Sequence, residues 1–299
     1  MNTNKIYQYI LFLVLFINIY SYSYYSSCER AFQNGDAAAL LEELRKITAE
    51  GKPGSYSDLW DTYVSAFVKD DGYIKDYYSS YSKYTGEDRD KGSGGTEEGQ
   101  KYNREHSIPK SWWGGATSNQ GADPFIVVPA DKFVNNKRSS YPLGKVSRAK
   151  YSSYNDYSKL GEADTSYGYS GTVFEPNDDV KGDLARIVFY SIAKYESSYK
   201  WTSGSGSVVY SGDMNKNFGL TDYAVKLFTE WHEMDPPDEW EINLNNRLYE
   251  IQGNKNPFID HPEYVNTIWG NSAKNNINNK NMNVENNKEF SKFLQFPKN

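Results

Sequence analysis

A carboxylate stands directly beside an imidazole at Glu105 and His106, within the segment YNREHSIPKSWWGG that spans residues 102–115. The chain has only three histidines, so a side chain that can accept a proton near pH 7 is scarce. A carboxylate can hold a hard cation, and a neutral imidazole can deprotonate water. The pair therefore suggests metal-assisted hydrolysis of a phosphodiester.

Basic charge is concentrated around this pair although the chain as a whole is acidic. Its 33 Lys and Arg against 39 Asp and Glu give a formal net charge of −6, which disfavours binding to phosphates. Residues 101–150 reverse the balance, with nine basic and three acidic side chains. This window predicts a local surface for nucleic acid. The candidate substrate-binding residues in it are Arg104, Lys110, Lys137 and Lys145.

The N-terminus has the pattern of a targeting segment. Lys5 precedes an apolar run over residues 6–19, and small or polar residues follow at 21–27. A run of about 14 residues is shorter than the roughly 20 that span a bilayer. We therefore predict a cleaved signal peptide over residues 1–27, with an uncleaved anchor as the alternative, and secretion to the extracellular space or the periplasm. Cys28 is the only cysteine, which excludes a disulfide within the chain.

Hydrophobic periodicity predicts a mixed α/β chain. Apolar residues at helical spacing and capping residues predict helices at 37–49, 179–195, 221–233 and 239–251. An unbroken apolar run predicts a buried strand at 125–128, and Pro129 predicts a helix from there to about Lys137. A strand followed by a helix, just after the Glu-His pair, is the order that a ββα unit requires.

Three other segments are predicted to be less regular. Residues 73–84 alternate aromatic and polar side chains weakly, as an exposed strand or a solvated loop does. Residues 147–170 are rich in Ser, Tyr and Lys and predict a long polar loop. The Asn-rich tail over residues 271–299 predicts disorder.

Four blocks of the sequence resemble the endonuclease I family in the same order. The first is the segment at 102–115, which is similar to the family's NREH-x-x-P-K-S signature. The others are DPFIVVPADKFVNNKRSSYPLG at 123–144, FEPNDDVKGDLARIVFY at 174–190, and the segment from WHEMDPPDEW to YVNTIW at 231–269. The resemblance implies an α+β fold with a ββα-metal nuclease core surrounded by helices. It places one nuclease domain over residues 28–270.

The resemblance also implies a metal site and a base. Glu105 and Asn135 would hold one Mg²⁺-like ion, with Ca²⁺ or Mn²⁺ as alternatives, because carboxylate and amide oxygens suit hard cations. His106 would act as the general base. Asn136 remains an alternative to Asn135.

Arg138 lies about one helical turn after Asn135 and has two interpretations. Its guanidinium could clamp the phosphate and stabilise developing charge, which would make it catalytic. It could instead form a salt bridge to Asp131. This chain also departs from many relatives, because Phe125 or Ile126 stands where they carry a histidine. His232 and His261 are predicted to brace helices.

The predicted function is sequence-nonspecific cleavage of DNA, with RNA as an alternative, by a monomer without a nucleotide cofactor. The rival from another class is a secreted, catalytically silent protein that uses its 27 tyrosines to bind nucleic acid or polysaccharide. A nuclease assay with and without EDTA separates the two.

Overall fold

The computed structural model describes residues 24–81, 83–115, 119–195 and 200–270. Within these residues the chain divides into two units, one formed by 24–41 with 263–270 and one formed by 42–262. Most of the predicted signal peptide and the whole Asn-rich tail lie outside the described residues, so the predicted domain boundaries stay predictions. No helix in the described part of the chain is long and apolar enough to cross a bilayer.

The first unit is helical. Its elements are α1 (Ser26–Gln33), the start of α2 (Ala37–Ala49) and α9 (Glu263–Trp269). The rings of Tyr25 and Phe32 pack on Tyr264, with centroids 6.4 and 5.1 Å apart. Asp36 accepts a hydrogen bond from the Ala39 backbone at 3.3 Å and so caps α2.

Six α-helices lie wholly within the described residues of the second unit. They are α3 (Leu59–Ala66), α4 (Lys132–Arg138), α5 (Lys181–Lys194), α6 (Asp222–Met234), α7 (Glu239–Gln252) and α8 (Pro257–Asp260). Every residue of α5 from Lys181 to Ala193 is buried, so this helix lies at the centre of the core. Thr221 caps α6 by accepting a hydrogen bond from the Ala224 backbone at 3.1 Å. The four helices predicted from periodicity and capping are confirmed to within two residues.

Two small antiparallel sheets complete the second unit. Strands β1 (Tyr102–His106) and β2 (Val127–Asp131) form one, and β3 (Val146–Ser152), β4 (Lys159–Ala163) and β5 (Thr172–Glu175) form the other in that order. In the first sheet Tyr102 lies opposite Asp131 and His106 lies opposite Val127. Helix α4 follows β2 without a gap, which gives the ββα unit. The predicted α+β class is confirmed.

The predicted boundary between strand and helix near Pro129 is wrong. Pro129 lies inside β2, where its carbonyl accepts a hydrogen bond from the Tyr77 backbone at 3.2 Å. The helix begins three residues later because Asp131 is the stronger start signal. Its carboxylate accepts a hydrogen bond from the Val134 backbone at 2.9 Å, which satisfies a donor of the first turn.

Two segments, one predicted as a long polar loop and one as an exposed strand or a solvated loop, are more ordered or more buried than their sequences suggest. Residues 147–170 contain most of β3 and all of β4, and most residues of β3 are exposed, so no apolar alternation marks the strand. The segment 73–84, predicted to be solvated, buries Tyr77, Tyr78 and Tyr84. A tyrosine can be buried when its hydroxyl finds a partner, and the hydroxyls of Tyr78 and Tyr84 do so.

Candidate active site

Adjacent residues at the end of β1 face different surroundings. Glu105 meets the hydroxyl of Tyr78 at 2.9 Å and the guanidinium of Arg138. His106 meets the ring of Tyr56, with centroids 5.5 Å apart and ring planes inclined by 29°. Successive side chains of a strand point to opposite sides. The strand therefore separates the candidate ligand from the candidate base.

The tautomer of His106 is fixed by one backbone contact. Its Nε2 lies 3.1 Å from the carbonyl oxygen of Gly121. A carbonyl can only accept, so Nε2 carries the proton and the neutral ring keeps its lone pair on Nδ1. Burial and, next, the positive charge of Lys110 lower the pKa of His106 to about 3. The imidazole is thus neutral at neutral pH, the state that a general base requires.

The loop that presents the Gly121 carbonyl is anchored on the core by Asp123. This fully buried carboxylate accepts hydrogen bonds from the hydroxyls of Tyr190 and Tyr195 at 2.9 and 2.7 Å. The ammonium group of Lys194 lies 3.1 Å from the same oxygen. All three partners lie on α5 or directly after it. The contact to His106 therefore comes from a loop that is tied to the most buried helix.

Phe125, one of the two residues predicted to stand in place of the family's histidine, belongs to this anchored loop. Its ring packs on Tyr190 with centroids 5.0 Å apart, and its backbone donates to Asp123 at 2.9 Å. The position serves packing in this chain.

Glu105 is a buried carboxylate with its charge partly balanced. It is 3% exposed, and Tyr78 and Arg138 both donate to the same oxygen, Oε1. Burial raises the pKa of Glu105, while the charge of Arg138 and hydrogen bonds from Tyr78 and Asn135 oppose that rise. Asn135 also donates to the Asn103 side chain at 2.8 Å. Helix α4 thus brings an amide to the carboxylate.

The side chains of Glu105 and Asn135 suit a hard cation that takes few ligands from the protein. Among the described residues no group of three or more His, Cys, Asp or Glu side chains could hold a metal ion. Glu105 and Asn135 offer one carboxylate and one amide, and Mg²⁺ keeps several waters and needs only one or two such ligands. Asn136 is exposed, whereas Asn135 is half-buried and donates to Asn103 on β1, the strand that carries Glu105. This donor set therefore fits a mostly hydrated Mg²⁺-like ion and favours Asn135 over Asn136.

Arg138 takes up neither of the two predicted arrangements. It is 1% exposed and donates to Glu105, to the His106 carbonyl at 2.9 Å and to the Ser107 carbonyl at 2.7 Å. The salt bridge to Asp131 is wrong, because Asp131 instead caps α4 and accepts from the Gly99 backbone at 2.7 Å. The guanidinium lies buried behind the strand end, so it is not open to a phosphate. Its contacts tie α4 to the end of β1.

The predicted substrate-binding cations do not all lie together. The guanidinium of Arg104 and the ammonium of Lys110 lie 3.6 and 5.3 Å from the centroid of Tyr56, the ring that stacks on His106. Lys137 lies on another face of α4, over the Phe133 ring at 4.9 Å. Lys145 is 3.9 Å from a carboxylate oxygen of Asp164, so its charge is partly offset. Arg104 and Lys110 are the pair beside the candidate base.

Neither Tyr56 nor Tyr78 is predicted by the sequence as a site residue. Tyr56 supports His106 and Arg104, and Tyr78 donates to Glu105 from 27 positions earlier in the chain. No local pattern marks such partners, because folding alone brings them to β1. Because tyrosine is abundant in this chain, these two tyrosines do not stand out in the sequence.

Known nucleases resemble the chain over most of its length. The sequence pattern of the endonuclease I family matches residues 37–263. The extracellular ribonuclease of Bacillus subtilis (strain 168) is 32% identical over 256 residues, which cover 83% of this chain and 78% of that protein. The extracellular ribonuclease of Bacillus amyloliquefaciens is 32% identical over 240 residues, with coverages of 77% and 74%. An extracellular deoxyribonuclease of Aeromonas hydrophila is 31% identical over 85 residues, 28% of each chain. The chain therefore belongs to the endonuclease I family and is a nuclease.

Proposed function

We propose that this chain is a secreted, sequence-nonspecific endonuclease that uses His106 as its general base and one Mg²⁺-like ion held by Glu105 and Asn135. The observation that carries the proposal is the Nε2 contact of His106 with the Gly121 carbonyl at 3.1 Å. It leaves a neutral ring with its lone pair on Nδ1, one residue away from the buried carboxylate of Glu105.

His106 takes the proton in the proposed reaction. The oxygen of a water molecule forms a bond to phosphorus while its proton moves to Nδ1 of His106. The bond between phosphorus and the 3′ oxygen breaks, and that oxygen leaves with a proton from solvent. The products are a 5′-phosphate and a 3′-hydroxyl. Tyr56 keeps the imidazole plane in place by stacking on it.

Glu105 and Asn135 hold the cation, and Arg138 and Tyr78 hold Glu105. When bound, a Mg²⁺-like ion would supply positive charge that stabilises the negative charge developing on the phosphate. Arg138 and Tyr78 both occupy Oε1 of Glu105, so they fix the plane of the carboxylate. In this role Arg138 is a positioning residue rather than a phosphate clamp.

Arg104 and Lys110 are the proposed phosphate contacts nearest His106. Lys137 and Lys145 are proposed to contact phosphates farther along the bound nucleic acid. Relatives named extracellular ribonuclease and extracellular deoxyribonuclease support both RNA and DNA as substrates and support secretion. The apolar run at residues 6–19 supports secretion independently, as a signal peptide.

The test is cleavage of supercoiled plasmid and of single-stranded RNA by the purified chain, with and without EDTA. The proposal predicts cleavage that EDTA abolishes and that added Mg²⁺, Mn²⁺ or Ca²⁺ restores. Full activity in EDTA after exhaustive dialysis would exclude a requirement for a metal ion. Binding of either substrate without cleavage under any of these ions would favour the silent binding protein instead.

A further inference from the structure

An open groove of about 600 Å³ lies between α4 and the turn that follows β3. Three aromatic and three acidic side chains line it: Phe133, Tyr151, Tyr154, Glu97, Glu98 and Asp156. None of them belongs to the candidate active site. The groove joins apolar ring faces to hydrogen-bond acceptors, which is the combination that a flat, polar-edged ligand requires.

The rings at its outer edge are exposed and yet held in place. Tyr154 is 53% exposed and packs against Tyr81, which is 59% exposed, with centroids 4.8 Å apart. The Tyr154 backbone donates to Glu98 at 3.0 Å, and Asn155 donates to the Ser80 hydroxyl at 3.2 Å. Rigid, exposed rings of this kind offer contact area without a large loss of conformational entropy on binding.

Two packed rings form the inner wall of the groove, and a cation lies beside them. Phe133 and Tyr151 pack edge to face with centroids 6.4 Å apart. The Tyr151 side chain lines the groove, and its buried hydroxyl has no hydrogen-bond partner among the described residues. The ammonium group of Lys137 lies 4.9 and 5.6 Å from the centroids of these two rings.

Helix α4 places the groove next to the proposed active site. Phe133 and Lys137 are four residues apart and share a face of this helix, while Asn135 between them turns to Asn103 on β1. The two places are thus separated by one helix width, about 10 Å. At about 3.4 Å per stacked nucleotide, a strand covers that distance with roughly three nucleotides.

The charge of the groove selects among possible occupants. Glu97, Glu98 and Asp156 repel phosphates, so the backbone of a duplex is disfavoured here. A single strand avoids this repulsion, because an unpaired base can turn inward onto Tyr154 while its phosphate stays outside near Lys137. Aromatic faces stack on any base, and the carboxylates accept hydrogen bonds from base amino groups.

We propose that this groove binds an unpaired nucleobase of the substrate strand, a few nucleotides from the cleaved bond. It gives the enzyme a preference for single-stranded over duplex nucleic acid. The inference rests on the proposed function, since it takes the cleaved phosphate to lie at Glu105 and His106.

The test compares Tyr154→Ala with Tyr141→Ala, which removes another exposed tyrosine (40%) that does not line the groove. Dissociation constants are measured in EDTA, where cleavage is stopped, for single-stranded DNA and RNA oligonucleotides of about eight nucleotides and for the matching DNA duplex. The single-stranded probes carry one 2-aminopurine, whose fluorescence falls on stacking. Melting temperatures of the two variants, expected to equal that of the parent, show that both fold.

The expected result for Tyr154→Ala is about a tenfold or greater loss of affinity for both single-stranded probes, with smaller fluorescence quenching and unchanged affinity for the duplex. Tyr141→Ala should match the parent throughout. Equal effects of the two variants, or an equal loss for duplex and single strand, would overturn the proposal. These readouts need no chemistry, so they remain valid if His106 proves not to be the base.

Discussion

Nε2 of His106 lies 3.1 Å from the carbonyl oxygen of Gly121, across the loop that joins β1 to β2. The contact links the candidate base to a loop that Asp123 anchors on α5. The core of the unit therefore determines which imidazole nitrogen keeps its lone pair. A histidine placed on the same strand without this partner would sample both tautomers.

Because Tyr56 stacks on His106, we expect Tyr56 to affect turnover more than substrate affinity. Tyr56→Leu should lower kcat by about 10- to 100-fold, because the imidazole loses its planar support and near-attack geometry is sensitive to small displacements. KM should change little, since the Arg104 guanidinium also donates to the Tyr56 backbone carbonyl at 2.7 Å, and that bond survives. Steady-state kinetics on a defined oligonucleotide measures both constants.

Tyr56→Phe is the matched control, because it keeps the ring and removes only the hydroxyl. It should retain kcat within a few-fold. A large kcat loss in the Phe variant would mean that the hydroxyl, rather than the stacking ring, matters.

The two proposed ligands predict a specific response to metal concentration. Glu105→Gln and Asn135→Ala should each raise the Mg²⁺ concentration for half-maximal activity, because the first removes the negative charge at the cation and the second removes an oxygen donor. Asn136→Ala changes an exposed amide one position away and should behave as the parent. If Asn136→Ala raises the requirement and Asn135→Ala does not, the assignment on α4 is off by one residue.

The buried ion pair of Arg138 and Glu105 predicts a loss of stability. Arg138→Met leaves Glu105 buried without its cation, which should lower the free energy of unfolding by about 3–5 kcal/mol. Urea denaturation measures this quantity. Wild-type stability in the Met variant would show that the pair contributes nothing to the fold.

Arg138→Lys separates positioning from a phosphate clamp. Lysine keeps the charge but cannot reach Glu105 and the carbonyls of His106 and Ser107 together. The Mg²⁺ requirement should rise while affinity for DNA in EDTA stays unchanged. Weaker DNA binding with a normal metal requirement would instead support contact with phosphate.

His232 predicts a dependence of stability on pH that is independent of the active site. Its Nε2 donates to the Pro262 carbonyl at 3.0 Å, and burial, followed by the charge of Arg186, lowers its pKa to about 4. At pH values between its ordinary pKa of about 6.5 and this lowered pKa, His232 is protonated in the unfolded chain but neutral in the folded chain. The free energy of unfolding should therefore fall as pH drops from 6.5 toward 4, by up to about 3 kcal/mol from this residue.

His232→Gln keeps a donor for Pro262 and removes the titration. Urea unfolding at a series of pH values should show a shallower loss of stability on acidification in this variant. Asp235, whose pKa burial raises to about 6, has the opposite sign, but it is present in both proteins and cancels in the comparison. Parallel curves for the two proteins would contradict the assignment.

Local sequence is sufficient for the parts of the site that lie close together in the chain. Glu105 and His106 are adjacent, and Asn135 lies in the helix that follows the partner strand, so their types and order are visible directly. The caps at Asp36 and Thr221 are equally local. Such features depend on neighbours within a few positions.

The remaining features depend on contacts that only the fold creates. Tyr56, Tyr78 and Gly121 reach the site from other segments, and the exposed strand β3 has no hydrophobic alternation to reveal it. Pro129 gave the wrong helix start because a proline fits a first helical turn as well as a position in a strand whose amide needs no partner. The burial of Arg138 follows from its pairing with Glu105, which helical spacing alone cannot indicate.

Single-turnover cleavage by His106→Ala is the most direct test of His106 as the base. The variant is compared with the parent at saturating Mg²⁺, with DNA affinity and the half-maximal Mg²⁺ concentration measured in parallel. We predict a rate about 10²- to 10⁴-fold lower, with both binding constants close to those of the parent, because the imidazole moves a proton and holds neither ligand. A rate within a few-fold of the parent, from folded protein, would contradict the role of His106 as general base.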